Sequence, residues 1–196
     1  MYKNIDDIEA GVDEVARGCL AGPVISAAVI LPDGFVHPLI KDSKKLSPKK
    51  REEAYQIILE NALSYGIGSS DPEEIDRINI LQATFVSMKK AIDNLNTTPS
   101  KLLIDGDKFP GHKGIPFECI IKGDSKVQSI SAASIIAKVT RDNLMKELGK
   151  LHPEYLWESN AGYGSKAHTD SIEKHGLTEH HRKTFCSRFI SGNSIF

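Results

Sequence analysis

Two adjacent carboxylates, Asp13 and Glu14, interrupt a run of apolar residues near the N-terminus. Ionised carboxylates are costly to bury in a strand unless a cation compensates their charge, and in enzymes the commonest such cation is a metal ion. An arginine, Arg17, and two glycines follow within the same run, residues 10–24. The run therefore suggests a hydrolytic metal site, to which carboxylates from elsewhere in the chain should contribute.

Two further acids, Asp105 and Asp124, each follow an apolar stretch and stand beside a glycine. Carboxylates that converge from neighbouring strands form an all-oxygen site, which suits Mg²⁺ or Mn²⁺ rather than Zn²⁺ or copper. Two such ions about 4 Å apart can hold the attacking water and the leaving oxygen of a phosphodiester. Taken singly, these two aspartates are equally well explained as turn or helix-capping residues. Together with Asp13 and Glu14, they favour the metal site.

The pair Asp13-Glu14 raises a geometric question, because adjacent residues of a strand point to opposite faces. Either the chain bulges or turns at Glu14, or Glu14 acts partly through its backbone carbonyl. Asp124 precedes a long predicted helix, whose N-terminus favours an ionised carboxylate. Asp107 is better explained as a solvated loop residue than as a further ligand.

The pattern of apolar residues predicts the framework that must position these acids. Residues 10–16, 23–31, 64–69, 101–105 and 116–122 are predicted strands. Helices are predicted to begin at Ser47, Asp71 and Asn79, and a long one to run from about Val127 to Leu151. This order indicates an α/β fold, a mixed β-sheet flanked by helices. We expect one domain, 1–196, in which about 155–196 form a small helical C-terminal cap.

Composition limits the compartment and the partners. A formal net charge of −1 gives no global sign of nucleic-acid binding, although a local basic face suffices for it. Three scattered cysteines indicate neither a zinc site nor a disulfide framework, so we expect a cytoplasmic protein. The N-terminus, residues 1–7, is too acidic and polar for a leader peptide, and no apolar run approaches a membrane span.

Seven segments, in order along nearly the whole chain, resemble the type 2 ribonucleases H, the ribonuclease HII family. They are Gly11–Pro23, Asp42–Ser47, Ile78–Ala83, Leu102–Gly106, Lys122–Lys126, Ser131–Asp142 and Gly162–His168. Any one of these motifs is weak evidence, whereas seven in the family's order are highly specific. The resemblance covers about residues 9–190.

The resemblance implies an RNase H-like fold and a metal-dependent endonuclease. Its expected substrates are RNA–DNA hybrids and DNA duplexes that contain ribonucleotides, and its products carry 3′-hydroxyl and 5′-phosphate ends. The family's four catalytic, metal-binding acids map onto the four acids already selected from the sequence, Asp13, Glu14, Asp105 and Asp124. The expected cofactors are Mg²⁺ or Mn²⁺, as two ions during catalysis, and we expect a monomer.

The resemblance also implies how the 2′-hydroxyl of RNA is recognised. A Gly-Arg-Gly turn and a downstream tyrosine perform this role in the family, and they match Ala16-Arg17-Gly18 and Tyr163 here. The chain departs from the family's Ala-Gly at Val15-Ala16. If the first glycine of the turn requires a positive φ, Ala16 is strained there; if it does not, the added methyl group changes little. Recognition of a single ribonucleotide is therefore less firmly implied than cleavage of a hybrid.

Phosphate binding requires local positive charge, for which several residues are candidates. We favour Lys44 and Lys166, with Ser43 beside the former. Further candidates are Lys45, Lys126, His168, Arg182, Lys183 and Arg188. Any single lysine among them is more often a solvated surface charge. His180-His181 has no supporting ligands nearby in the sequence and is predicted to be structural or exposed.

Two alternatives compete with a metal-dependent ribonuclease H. One is a non-catalytic RNA–DNA hybrid-binding module with the same fold, for which Val15-Ala16 would be the sign; the presence of all four acids argues against it. The other is a different nuclease or recombinase of this fold that acts on DNA. The segment containing Tyr163 and Lys166 argues against that one.

Overall fold

The computed structural model describes residues 8–189. The N-terminal stretch 1–7, for which no leader peptide was predicted, lies outside the described residues, as do residues 190–196 at the end of the predicted cap. Five strands form one mixed sheet in the order β3-β2-β1-β4-β5. They are β1 (Glu9–Val15), β2 (Val24–Ile30), β3 (Ser64–Ser70), β4 (Lys101–Asp105) and β5 (Phe117–Ile120). β1 pairs antiparallel with β2 and parallel with β4.

Within residues 8–189, seven α-helices accompany the sheet. They are α1 (Pro48–Asn61), α2 (Pro72–Ile78), α3 (Ile80–Asp93), α4 (Gln128–Leu151), α5 (Trp157–Asn160), α6 (Lys166–His175) and α7 (Lys183–Cys186). The first three begin where the sequence predicts, because Ser47, Asp71 and Asn79 each accept a hydrogen bond from a first-turn backbone N–H. None of the helices in the described part of the chain is long and apolar enough to span a membrane.

The sheet lies between two helical layers, as the alternation of strands and helices predicts. β2 is buried along its whole length, with α1 and α4 on one side and α3 on the other. Gly11 permits a very close approach of α4 to β1, because a Cβ at that position would lie 2.2 Å from the carbonyl carbon of Ser129. The N-terminus of α4 is thereby placed directly against the strand that carries Asp13.

One predicted strand differs slightly from the observed one. The fifth strand ends at Ile120, two residues earlier than expected, because Lys122 takes a left-handed conformation (φ 56°) that turns the chain away from the sheet.

The C-terminal segment consists of short helices and turns around Tyr155 and Trp157. These two rings pack with Met145 of α4 and with Leu20 and Ala21 of the β1–β2 loop, which we define as residues 16–23.

Candidate active site

The four predicted acids lie at the same end of the sheet. Asp13 and Glu14 belong to the C-terminal half of β1, and Asp105 is the last residue of β4. Because β1 and β4 are parallel neighbours, their C-terminal ends share one edge of the sheet. Asp124 lies in the 3₁₀ turn Gly123–Ser125, which leads from β5 into α4. The Gly123 N–H donates to Oδ1 of Asp105 at 2.7 Å, and this bond ties the turn to the end of β4.

Burial and mutual repulsion determine the charge of these acids. Asp13 is 4% exposed, and burial, followed by the charges of Glu14 and Asp105, raises its pKa well above the ordinary value. Burial also raises the pKa of Glu14, and burial followed by repulsion from Asp105 raises that of Asp124. No three of these carboxylates, all within the described residues, offer oxygens within 4.8 Å of one another. The raised pKa values reflect burial and repulsion between the carboxylates, and divalent cations bound among them would offset this repulsion.

Serines near the N-terminus of α4 hold two of the acids in place. A side-chain hydrogen bond from Ser134 opposes the rise in the pKa of Asp13. Ser134 Oγ also lies 3.0 Å from Ser43 Oγ, and Ser43 is only 4% exposed. Ser131 Oγ donates to the backbone carbonyl of Asp124 at 2.7 Å. Ser43, predicted as a substrate contact, thus lies behind the acids and reaches them through Ser134.

The pairing of β1 settles the question of a bulge. Asp13 lies opposite Ala27 and Glu14 opposite Ser26, in a ladder that continues without interruption through Val15. The alternative of a bulge or turn at Glu14 is therefore wrong. The Glu14 N–H donates to Oδ1 of Asp13 at 2.7 Å, so the carboxylate of Asp13 is bent back toward the backbone of Glu14. The chain turns only beyond Val15.

The turn that follows β1 begins at Ala16, whose φ is 74°. The position therefore does require the left-handed conformation that glycine adopts freely, at a cost of about 1–2 kcal/mol for an L-residue. Ala16 is buried, whereas Arg17 and Gly18 are exposed. Arg17 Nη1 lies 3.5 Å from Oε1 of Glu14, and space is open around Gly18. The exposed part of the predicted Ala-Arg-Gly turn thus stands beside the acids.

Arg182 organises this turn, although sequence reasoning placed it in a surface phosphate-binding patch. That prediction is wrong, because Arg182 is fully buried. Its guanidinium donates to the carbonyls of Ala16, Arg17 and Gly22 at 2.8, 2.9 and 3.0 Å. The surface-patch prediction fails because these partners are more than 150 residues away in the chain. The neighbouring Lys183 is exposed, as expected of a surface charge.

Arg141 of α4 has a similar position that sequence reasoning also missed. It is fully buried and donates to the carbonyls of Ala21, Pro23 and Ala161 at 2.9, 3.0 and 2.7 Å. The ion pair on this part of the helix is formed by Lys138 with Asp142. Two buried guanidinium groups therefore hold the β1–β2 loop through five of its backbone carbonyls, and Arg141 joins it to the carbonyl of Ala161. The signal available in the sequence was the position of Arg141 on the apolar face of α4, which indicates a buried guanidinium.

Tyr163 lies close to the same loop. Its ring, 41% exposed, has Lys138 Nζ at 5.8 Å and the guanidinium carbon of Arg141 at 5.9 Å from its centroid. The N–H of Leu20 donates to the carbonyl of Gly162 at 2.8 Å, which fastens the tyrosine segment to the β1–β2 loop. The fold therefore brings Tyr163 into the region of Arg17 and Gly18.

The other predicted phosphate contacts are dispersed. Lys44 is exposed, with its Nζ 4.0 Å from Oδ2 of Asp124, so it belongs to the acid cluster. Lys166 is also exposed but pairs with Asp170 one turn along α6. The assignment of His168 to phosphate is wrong, because the residue is fully buried. Its Nε2 accepts a hydrogen bond from Trp157 Nε1 at 3.0 Å, and its Nδ1 lies 2.9 Å from the carbonyl oxygen of Tyr163. His168 therefore holds the segment that contains Tyr163.

Comparison with solved structures defines the class of protein. The crystal structure of the ribonuclease H2 from Pyrococcus horikoshii matches with a TM-score of 0.77 and 27% identity, over 94% of this chain and all of that one. The ribonuclease HII of Archaeoglobus fulgidus, solved in a complex with PCNA, matches with a TM-score of 0.72 and 26% identity, over 89% and 93% of the two chains. The fold is that of the ribonuclease H-type nucleases.

Sequence comparison identifies the family. The ribonuclease HII family model matches residues 10–190. The ribonuclease HII of Bacillus cytotoxicus is 56% identical over 176 residues, 90% of this chain and 67% of that protein. The ribonuclease HII of Parabacteroides distasonis is 49% identical over 184 residues, 94% of this chain and 92% of that one. The chain belongs to the ribonuclease HII family, as its motifs predict, and is a ribonuclease H-type endonuclease.

Proposed function

We propose that this endonuclease cleaves the RNA strand of RNA–DNA hybrids, and at ribonucleotides embedded in duplex DNA, with Asp13, Glu14, Asp105 and Asp124 as its metal-binding acids. One observation carries the proposal most directly. Asp13 is buried among like charges with its pKa raised, an arrangement that is unfavourable without a cation. The donors are all carboxylate oxygens, so the chemistry fits Mg²⁺ or Mn²⁺.

The chain's own residues orient the reacting groups. Two divalent ions, held by the four acids, would polarise the attacking water and stabilise the leaving 3′ oxygen. Asp13 is held by the N–H of Glu14, and Asp105 by the N–H of Gly123. These fixed bonds keep the carboxylates in one arrangement, so little reorganisation is needed when charge develops on the scissile phosphate. The expected products carry 3′-hydroxyl and 5′-phosphate ends.

We assign recognition of the substrate to two groups of residues. Arg17, Gly18 and Tyr163 would face the ribose, whose 2′-hydroxyl distinguishes RNA from DNA. Ala16, which is buried, would contribute by setting the turn that presents Arg17 and Gly18. The bond between Leu20 and Gly162, which joins the two segments, supports this assignment.

The second group binds phosphate. Lys44 is exposed beside Asp124, which suits it to a phosphate next to the scissile one. Ser43, being buried, would act by supporting Ser134 rather than by touching the substrate. Lys166 is exposed on α6 and would contact the backbone further along the duplex.

The substitution Asp105→Asn tests the site. It preserves the shape of the side chain and its hydrogen bond from Gly123 but removes the charge. We expect it to lower the rate of cleavage at least about a hundredfold while leaving binding of the duplex largely intact. The matched control is Asp107→Asn, two residues away and exposed, which should retain activity.

The substrates and metals complete the experiment. Three duplexes are compared, namely an RNA–DNA hybrid, a DNA duplex with one ribonucleotide and plain DNA, each with Mg²⁺, Mn²⁺ or EDTA. We expect cleavage of the first two only, and none with EDTA. Equal cleavage of plain DNA, activity that survives EDTA, or full activity of Asp105→Asn would contradict the proposal.

A further inference from the structure

Five of the seven histidines in the chain gather around Tyr155 and Trp157 in the C-terminal segment. Two of them, His168 and His181, are fully buried and already engaged in hydrogen bonds. His152 and His180 differ, because both are only partly buried and their ring centroids lie 5.4 Å apart. This second pair lies far along the chain from the acids and has no part in the proposed reaction.

Glu179 and this pair form a set of three side chains that can ligate a metal. One ligand atom each from His152, Glu179 and His180 can be chosen so that all three lie within 4.8 Å of one another. We propose that these residues bind a Zn²⁺ ion, with water as the fourth ligand. Two imidazole nitrogens and one carboxylate oxygen are a donor set that zinc commonly takes, with ligand distances of about 2.0–2.2 Å. Such ligands lie roughly 3.4 Å apart, so small side-chain rotations would close the site.

The two histidines are held by separate parts of the chain. His152 caps α4, where its N–H donates to the carbonyl of Leu148 at 3.0 Å, and its ring lies 5.4 Å from that of Trp157. His180 lies in a turn in which its N–H donates to Oγ1 of Thr178 at 3.2 Å. Its carbonyl accepts the N–H of Gly22 at 2.8 Å. Both rings are therefore positioned by the fold, which lowers the entropic cost of binding an ion.

The present contacts of the three side chains leave them available to a metal. His152 Nδ1 lies 3.6 Å from Oε1 of Glu154, and His180 Nε2 lies 3.8 Å from Oε1 of Glu179, both longer than a hydrogen bond. The side chain of Glu179 is 80% exposed, and its Oε1 already lies beside His180, so a small rotation would bring it onto the ion. Nitrogen donors also separate this site from the acids, since they favour zinc over Mg²⁺.

Zn²⁺ binding to the whole protein tests the proposal, with millimolar Mg²⁺ present to occupy the acids. Calorimetric titration should give one Zn²⁺ per chain. At a concentration about 100 times the dissociation constant, Zn²⁺ should raise Tm by roughly 5–10 °C. The affinity should be the same in the Asp105→Asn background, which distinguishes the new site from the catalytic one. Absence of Zn²⁺ binding, or its loss in Asp105→Asn, would overturn the proposal.

Two variants identify the ligands. His180→Gln should weaken Zn²⁺ binding at least about tenfold, whereas His175→Gln, an exposed histidine of the same segment, should bind as the original chain does. Glu179→Gln removes a ligand from a side chain so exposed that the fold is unaffected, and it should also weaken binding. Tetrahedral Co²⁺ absorption should appear in the His175→Gln protein and be lost in His180→Gln. Equal affinities in all three variants would contradict the assignment.

Discussion

Ala16 illustrates how one residue can carry strain beside a catalytic cluster. Its φ of 74° is the backbone conformation that glycine adopts freely, and its carbonyl accepts a hydrogen bond from Arg182. The sequence identified this position as unusual but left open whether a positive φ is required. The structure answers that question, because the turn keeps the left-handed conformation even with alanine present. The methyl group is buried, so it does not face the exposed surface beside Arg17.

We expect Ala16→Gly to stabilise the protein. Relief of about 1–2 kcal/mol of strain is partly offset by the greater freedom of glycine in the unfolded chain, about 0.4–1 kcal/mol. The net gain of roughly 1 kcal/mol should raise Tm by about 2–4 °C in a thermal melt. The preference between a single ribonucleotide and a hybrid should change little. The control is Ala21→Gly, a buried alanine of the same loop without a positive φ, which should lower Tm. A lower Tm in both variants would contradict the presence of backbone strain at Ala16.

At the scale of elements, the β1–β2 loop is fixed by residues from the far end of the chain. Arg182 and Arg141 are both fully buried, and each donates to three backbone carbonyls. Burying an arginine is tolerated when its donors are satisfied, and here carbonyls satisfy them. The turn that carries Arg17 and Gly18 therefore depends on the C-terminal segment for its shape.

Removal of one guanidinium tests this dependence. Arg182→Met keeps the length and apolar body of the side chain but leaves the carbonyls of Ala16, Arg17 and Gly22 without their donor. We expect a loss of about 3–5 kcal/mol in the free energy of unfolding, measured with urea. Below the lowered Tm, cleavage at a single ribonucleotide should fall more than cleavage of a hybrid. Arg188→Met, at an exposed arginine, should show neither effect. Unchanged stability in Arg182→Met would mean that water replaces the donor.

The elements themselves were largely predictable, whereas the contacts between them were not. Alternation, capping residues and helical spacing are local signals, so strands such as β1 and the start of α1 at Ser47 followed from the sequence. The four acids, three in strands and Asp124 in the turn after β5, were selected for the same reason. The buried positions of Arg182 and His168 depend on partners in other elements, and a charged or polar residue in a polar stretch carries no local sign of burial. Both were therefore placed wrongly at the surface.

At the scale of the whole molecule, the site unites parts that are remote in sequence. The acids come from β1, β4 and the turn before α4, while the C-terminal segment holds the β1–β2 loop. Stability of the C-terminal segment is therefore a condition for a complete site. Its core includes histidines that the fold keeps neutral. Burial, and then the neighbouring histidines, lower the pKa of His181 to about 3. Burial also lowers the pKa of His168.

This depressed pKa predicts that the protein loses stability in mild acid. Above the ordinary histidine pKa of 6.5, His181 is neutral in both the folded and the unfolded state. As the pH falls below 6.5, the unfolded chain binds a proton that the folded chain does not, because burial and the neighbouring histidines disfavour the charged ring of His181. In the folded chain, Nδ1 of His181 accepts the N–H of Thr178 at 3.0 Å. Stability therefore rises with pH across the window from about 3 to 6.5, by up to about 1.4 kcal/mol per pH unit.

Urea unfolding at pH 7 and pH 5 measures this contribution. Between these values the free energy of unfolding should fall by about 1–2 kcal/mol more in the original chain than in His181→Asn. Asparagine retains an acceptor oxygen near the position of Nδ1 but does not titrate, so its stability should depend less on pH. His175→Asn removes an exposed histidine of the same segment and should keep the original slope. Equal losses of stability in His181→Asn and in the original chain would contradict the prediction. A histidine that is buried and neutral must add to the dependence of the free energy of unfolding on pH, and His181→Asn removes that contribution.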